Sequence, residues 1–219
     1  MSFGTIYSYP QNPRVAKIHA VANLNGLKIE DAPFEFGKTN KSPEFLAKFP
    51  LGKAPAFSGT DGVNIFESNA IAHYVADSGP LREQLLGSNA AERAAVQQWV
   101  TMAETEVMPP AVTIILPRFG LGSFDQGAED QAVSKLERSV ESLERHLSSG
   151  KTWLAGEKIS LADISIAASL VWGFTFAIDA EMRNKYPGVV AWYERVMATE
   201  GVKKAFGETK FVEKRTAPK

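Results

Sequence analysis

The sequence predicts two domains of different class: a mixed α/β unit over residues 1–77 and an all-helical unit over residues 91–219, joined by a linker at 78–90. Three observations carry this expectation. Up to residue 77 the local patterns run strand, helix, strand, helix, strand, strand, helix, which gives a four-stranded mixed sheet covered by helices. After residue 90 the apolar residues recur only at steps of three and four. Between the two, DSGPLREQLLGSNA carries Gly-Pro and Gly-Ser breaks.

FGTIYS at 3–8 reads as the first strand. Pro13 then opens a helix with an apolar face of Val15, Ile18, Ala22 and Leu24, and Gly26 ends it. Leu27 to Phe34 reads as the second strand. Ser42 and Pro43 make a cap and first-turn pair for a short helix that stops near Pro50. Phe57, then Val63, Ile65 and Phe66, form a hairpin around Gly59–Gly62. Ser68 reads as the N-cap of a helix carrying Ile71, Tyr74 and Val75.

In the second domain Val96, Trp99, Val100, Ala103 and Val107 hold one face until Pro109-Pro110 breaks or kinks the helix. Glycines and Pro117 place a loop at 117–127. Val133, Leu136, Val140, Leu143 and Leu147 form a stripe for internal packing. Ser160 and Asp163 make a capping box, with Ile159 and Ile164 at the staple positions, so Asp163 is expected to be a folding device and not a site residue. Val189, Trp192, Val196 and Val202 continue the core. The segment from Lys203 to Lys219, with six Lys or Arg against two Glu, reads as a basic, frayed tail.

The chain has 219 residues, 44% hydrophobic and 22% charged, which is ordinary for a folded globular protein. A net charge of -1 offers no broad field for nucleic acid, and the opening residues show neither a signal peptide nor a membrane span. The absence of cysteine removes disulfides, thiolate metal sites and any cysteine nucleophile. His19, His73 and His146 are too scattered to suggest a metal.

The segment GKAPAFSGTDGVNIFESN at 52–69 is the most informative. Pro55 must sit at the edge or start of a strand, and a cis bond there would leave the Ala54 N–H and C=O free for an extended ligand backbone. Glu67-Ser68 opens a helix whose unpaired N–H groups can hold an anion. Together these describe a corner for a peptide carboxylate.

With NKSPEFLAKFPLGKAPAF at 40–57 and ISLADISIAA at 159–168, this segment resembles the cytosolic glutathione transferases, whose first domain is thioredoxin-like and whose second is all-α. GTIYSYPQN, FESNAIAHYVA, QWVTMAETEVMPPA and SLADISI together are similar to the transferase-like N-terminal domain of the gamma subunit of eukaryotic translation elongation factor 1. The resemblance spans roughly residues 4–213. It implies a cytoplasmic, two-fold dimer that binds glutathione without a metal. It also implies a place in the translation elongation complex beside the nucleotide-exchange subunit, or else a stand-alone transferase that attacks electrophiles with the bound thiolate.

The same resemblance implies a ligand set. Ala54 and Pro55 would meet the cysteinyl backbone, Glu67 the ammonium and Ser68 the adjoining carboxylate. Asn40, Lys41 and Lys53 would meet the glycine end, and Arg14 would lie near the ligand. The usual activating tyrosine or serine is missing: an alignment on the tyrosine members puts Ser8 at that position, and one on the serine members puts Asn12 there. Asn12 stands ahead of Ser8 as the expected sulfur donor, and either could serve only as a helix cap or a buried hydroxyl. Trp172, Phe174 and Phe176 could line an electrophile pocket, with core packing as the simpler role.

Overall fold

A computed structural model describes residues 2–218, so Met1 and Lys219, the last of the basic residues counted above, lie outside the described residues. Four strands, β1 (Gly4–Tyr7), β2 (Ile29–Asp31), β3 (Ala56–Gly59) and β4 (Asn64–Phe66), form one sheet in the order β2-β1-β3-β4. β1 runs parallel to β2 and antiparallel to β3, which is antiparallel to β4. Strand alternation divides the side chains between two layers. Ile6 and Phe57 face α1 (Pro13–Leu24) and α3 (Ser68–Asp77), while Tyr7 and Ala56 join Phe45 of α2 (Pro43–Lys48) and Phe49 just after it.

The expected linker is not wholly irregular: it contains α4 (Arg82–Leu86), whose Leu85 and Leu86 are buried. α5 (Ala90–Met102) follows, capped by the Asn89 side chain. The helical run is interrupted just before the proline pair. Pro109 and Pro110 have no N–H for the carbonyls four residues back. The preceding turn widens instead into a π-helical segment over Ala103–Val107, in which the Met108 N–H reaches the Ala103 carbonyl. α6 (Met108–Ile115) continues beyond it.

The expected loop at 117–127 starts as a 3₁₀ turn, Leu116–Phe119, and α7 (Gln126–Leu147) begins at its end. In α7, Leu136, Val140, Leu143 and Leu147 are buried along one face. α8 (Leu161–Phe176) is the central pillar, buried almost all round, and packs against α1, α5, α6 and α10 (Pro187–Ala198). α9 (Ala180–Lys185) and α11 (Glu200–Phe206) complete the helices.

α11 packs on α1 of the first domain. The Asn23 amide donates to the Gly201 carbonyl at 3.0 Å, and a Cβ at residue 201 would meet the Leu24 side chain at 3.0 Å, so any larger residue at this crossing would have to displace Leu24 by a few tenths of an ångström.

The tail is not frayed as its charge suggested. Phe211 packs its ring against Phe174 and Tyr193 and lies under the Arg183 guanidinium. The Val212 N–H donates to the Phe174 carbonyl at 2.9 Å, and Arg118 Nε donates to the Thr216 carbonyl at 2.7 Å. Residues 211–216 therefore form a strap across the end of α8. Two apolar side chains and the strap's own backbone groups outweigh its positive charge.

Candidate functional site

The sheet register brings the sequence-predicted residues to one edge. Tyr7 pairs with Ala56, and Ala56 pairs with Phe66. Carried one step beyond the strands, the same register sets Ser8, Pro55 and Glu67 in a row, two strand spacings or about 10 Å across. The Ala54–Pro55 bond is cis. Neither the N–H nor the C=O of Ala54 makes a backbone hydrogen bond among the described residues, leaving both for an extended ligand.

Glu67 sits at φ 71, a left-handed conformation that costs on the order of 1–3 kcal/mol for a residue with a side chain. It is the N-cap of α3 by position, with no side-chain capping bond. Ser68 is accordingly the first helical residue and not the cap. Its hydroxyl is engaged by Lys17 Nζ at 3.4 Å and lies 3.5 Å from Glu104 Oε1, so what it can offer an anion is its backbone N–H at the helix N-terminus.

Asn40 does not present its amide to a ligand. It is buried, accepts from the Gly37 N–H at 2.6 Å and donates to the Gly52 carbonyl at 2.7 Å, clamping two loops together. Gly52, at φ 58, could not carry a Cβ without meeting the Asn40 carbonyl at 2.8 Å. Lys41 and Lys53, both exposed, directly follow the two clamped residues, Asn40 and Gly52.

Arg14 is held by Glu104 in the π-helical turn, with two contacts at 3.0 and 3.2 Å. Burial pushes the Glu104 carboxyl up, and Arg14, Lys17 and Ser68 outweigh it, so the group stays ionised below the usual range. Lys17 is the partner that the sequence reading missed. It is 2% exposed and donates to Asn69 Oδ1 and Ser68 Oγ beneath the start of α3. Its spacing of three and four to Ala20 and Val21 places it on a buried helical stripe, and that was the available signal.

Burial pulls the Lys17 pKa down to about 8, Glu104 works against it, and Arg14 reinforces it. The unfolded chain, with an ordinary lysine pKa near ~10.4, binds more protons between these two values, so this group makes stability rise as pH climbs from about 8 to about 10. Lys17→Met is expected to remove that rise, about 3 kcal/mol in full, from urea unfolding curves taken across the range. The same pH slope in both proteins would refute the assignment.

Beside the row lies a cleft of about 720 Å³ between the domains, with Ser8, Tyr9 and Asn12 on one wall and Val171, Trp172 and Phe176 on the other. Phe174 does not line it: it is 2% exposed, packed at a tilt against Tyr193 in the core. Asn12 is the N-cap of α1. Its Oδ1 accepts from the Arg14 N–H at 3.0 Å, and its Nδ2 donates to Ser8 Oγ at 3.1 Å. The Ser8 hydroxyl donates to nothing among the described residues.

The chain matches two family models, "Glutathione S-transferase, N-terminal domain" over residues 2–77 and "Glutathione S-transferase, C-terminal domain" over residues 104–200. It belongs to the glutathione S-transferase family. A glutathione S-transferase-like protein of a Fusarium species is 47% identical over 96% of both chains. Elongation factor 1-gamma of Danio rerio is 42% identical over 98% of this chain but only 48% of its own length, so the chain spans about half of that relative. Among solved structures, the transferase-like domain of elongation factor 1-gamma from Saccharomyces cerevisiae superposes with a TM-score of 0.85 at 26% identity, covering 100% of both chains.

Proposed function

We propose that the chain is a glutathione-dependent transferase in which the Ser8 hydroxyl, oriented by Asn12, meets the tripeptide sulfur. The observation that carries this reading is the Asn12 Nδ2 to Ser8 Oγ bond at 3.1 Å at the mouth of the cleft. It occupies the serine oxygen as an acceptor and leaves the O–H to donate to a thiolate. Asn12, favoured from sequence, acts one bond away. Ala54, Glu67 and the α3 N-terminus hold the tripeptide main chain, and Lys41 and Lys53 hold its glycine carboxylate.

The thiol proton leaves to solvent and the thiolate sulfur attacks the electrophilic carbon. A C–S bond forms while a halide departs, or while an enone's electron pair moves to its carbonyl and is protonated from water. One hydrogen bond to the sulfur anion contributes about 1.5–3 kcal/mol, enough to lower a thiol pKa of ~8.5 by one to two units. Ser8→Ala is expected to reduce kcat/KM toward a chlorodinitrobenzene by about 10- to 100-fold. The thiolate absorbance of bound glutathione should shift to higher pH by the same one to two units, with little change in its affinity. An unaltered titration in the variant would remove Ser8 from the role.

The second reading is an elongation-factor-1-gamma-like scaffold, cytoplasmic and dimeric, that binds the nucleotide-exchange subunit. The fit to the yeast domain and the identity to the Danio rerio protein support it. The Fusarium relative, matched along its whole length, supports the enzyme. Co-purification with the exchange subunit, in the absence of conjugation by the wild type, would reverse the preference.

A further inference from the structure

Arg14 and Lys17 from α1 meet Glu104 from the π-helical turn at the start of α3. The charges that act on Lys17 are Glu104 and Arg14, and those that act on Glu104 are Arg14 and Lys17. With all three ionised, two positive charges face one negative. The other elements packed on α1 do not correct this imbalance. α3 supplies only the neutral Ser68 and Asn69 to the cluster, and Glu67, His73 and Asp77 are exposed. α8 carries Asp163, which is engaged by its own capping box, and α11 exposes Glu200, Lys203 and Lys204. The sheet meets α1 through Ile6 and Phe57, and His19 is paired with Asp31 at 3.0 Å.

Lys17 is 2% exposed, so water cannot compensate its ammonium. A buried charge without a full counter-charge is costly. Its Nζ donates to Ser68 Oγ at 3.4 Å and to Asn69 Oδ1. These are the first two residues of α3, and the Ser68 N–H is the group that the row offers to a ligand carboxylate. The Ser68 side chain alone links that N–H to the ammonium.

We propose that Lys17 is a positioning residue for the tripeptide's α-carboxylate: through Ser68 it supplies the missing half of an ion pair, and binding of the carboxylate draws a proton from solvent onto Lys17. The inference rests on the glutathione reading for the identity of the ligand. The coupling is reciprocal, so the factor by which the anion tightens the proton is the factor by which the proton tightens the anion. Burial has already pulled the Lys17 pKa down to about 8 in the free protein, and a neighbouring carboxylate raises it again. Affinity is therefore full below about pH 8 and is lost as pH climbs through the higher value of the complex. An ordinary surface lysine, with a pKa near ~10.4, would give no such dependence in this range.

The test uses S-methylglutathione, which has no thiol, so neither Ser8 nor conjugation enters the measurement. An analogue with γ-aminobutyryl in place of γ-glutamyl keeps the amino group, loses the carboxylate and reports what the ammonium alone contributes. Calorimetry from about pH 7 to about pH 10 is expected to show S-methylglutathione weakening about 10-fold more than the analogue, the equivalent of one pKa unit. Buffers of different ionisation enthalpy should reveal uptake of roughly half a proton near the middle of that fall. Lys17→Met is expected to lose this component and to bind S-methylglutathione about 10-fold more weakly at pH 7. Glu104→Gln removes the charge that holds the proton on Lys17, so it should move the fall to lower pH. The same pH profile in the wild type and Lys17→Met, or an unmoved profile in Glu104→Gln, would overturn the role of Lys17 and leave tripeptide binding in place. Failure of the wild type to bind S-methylglutathione at any pH would instead end the glutathione reading, and this proposal with it.

Discussion

Asp163→Ala is expected to lower the unfolding free energy by about 3–5 kcal/mol. The carboxylate is fully buried and accepts from four donors: the Leu154 N–H at 2.9 Å, the Ser160 N–H at 3.0 Å, Ser160 Oγ at 3.1 Å and Trp192 Nε1 at 2.9 Å. Truncation strands all four where water does not reach, and each unmade bond to a buried group costs about 1–3 kcal/mol before relaxation. It also uncaps α8, against which most of the second domain packs. Burial pushes the Asp163 pKa up and the donors pull it back. Thermal unfolding should show a midpoint roughly 10 °C lower, given about 2–4 °C per kcal/mol at this size. A change below about 1 kcal/mol would mean that the box is dispensable. Trp192→Phe in the Asp163→Ala background should then cost less than in the wild type, because its acceptor is already gone.

Glu129→Ala is expected to cost about 3–5 kcal/mol as well, through a different route. Arg118 and Glu129 form a two-pronged pair at 2.7 and 2.8 Å, with side chains 4% and 10% exposed, and Arg215 of the strap lies 3.6 Å from the same carboxylate. Removing the carboxylate leaves a guanidinium buried without its counter-charge. Hydrogen exchange should locate the damage, with the Val212 and Thr216 amides, which donate to the end of α8, losing protection before the rest of the domain. The Arg118 hydrogen bonds hold the Glu129 pKa below its ordinary value against the effect of burial. A depressed carboxylate pKa contributes stability above the unfolded value near ~4.3 that disappears as pH falls through the folded value, so the wild type and the variant should converge in acid. Persistence of the full difference below that range would refute the ion-pair explanation.

Local patterns made the order of the first seven elements legible, because caps, prolines and glycines punctuate them. Ser42-Pro43, the turn at Gly59–Gly62 and the Ser160–Asp163 box all act within a few residues of themselves. Features that depend on partners distant in sequence were not legible. Lys17 lies on an apolar stripe, but only the meeting of α1, α3 and the π-helical turn shows what compensates its charge. Arg118 falls in a stretch that reads as a loop, and its acceptors come from residues 114, 129 and 216. Asn12 and Ser8 are both legible in the sequence as candidate sulfur donors, but the hydrogen bond from Asn12 Nδ2 to Ser8 Oγ depends on how the strand end meets the start of α1.

The crossing of α11 over α1 has a consequence for synthesis. The two helices begin about 187 residues apart, and a ribosome adding roughly 5–20 residues per second needs about 10–40 s to cover that distance. During that interval the strands and α1 can assemble, but the surface around Leu24 that receives Gly201 stays open to water and to other nascent chains. The first half of this protein therefore has to wait for the second, and a chaperone that shelters α1 would act in that window.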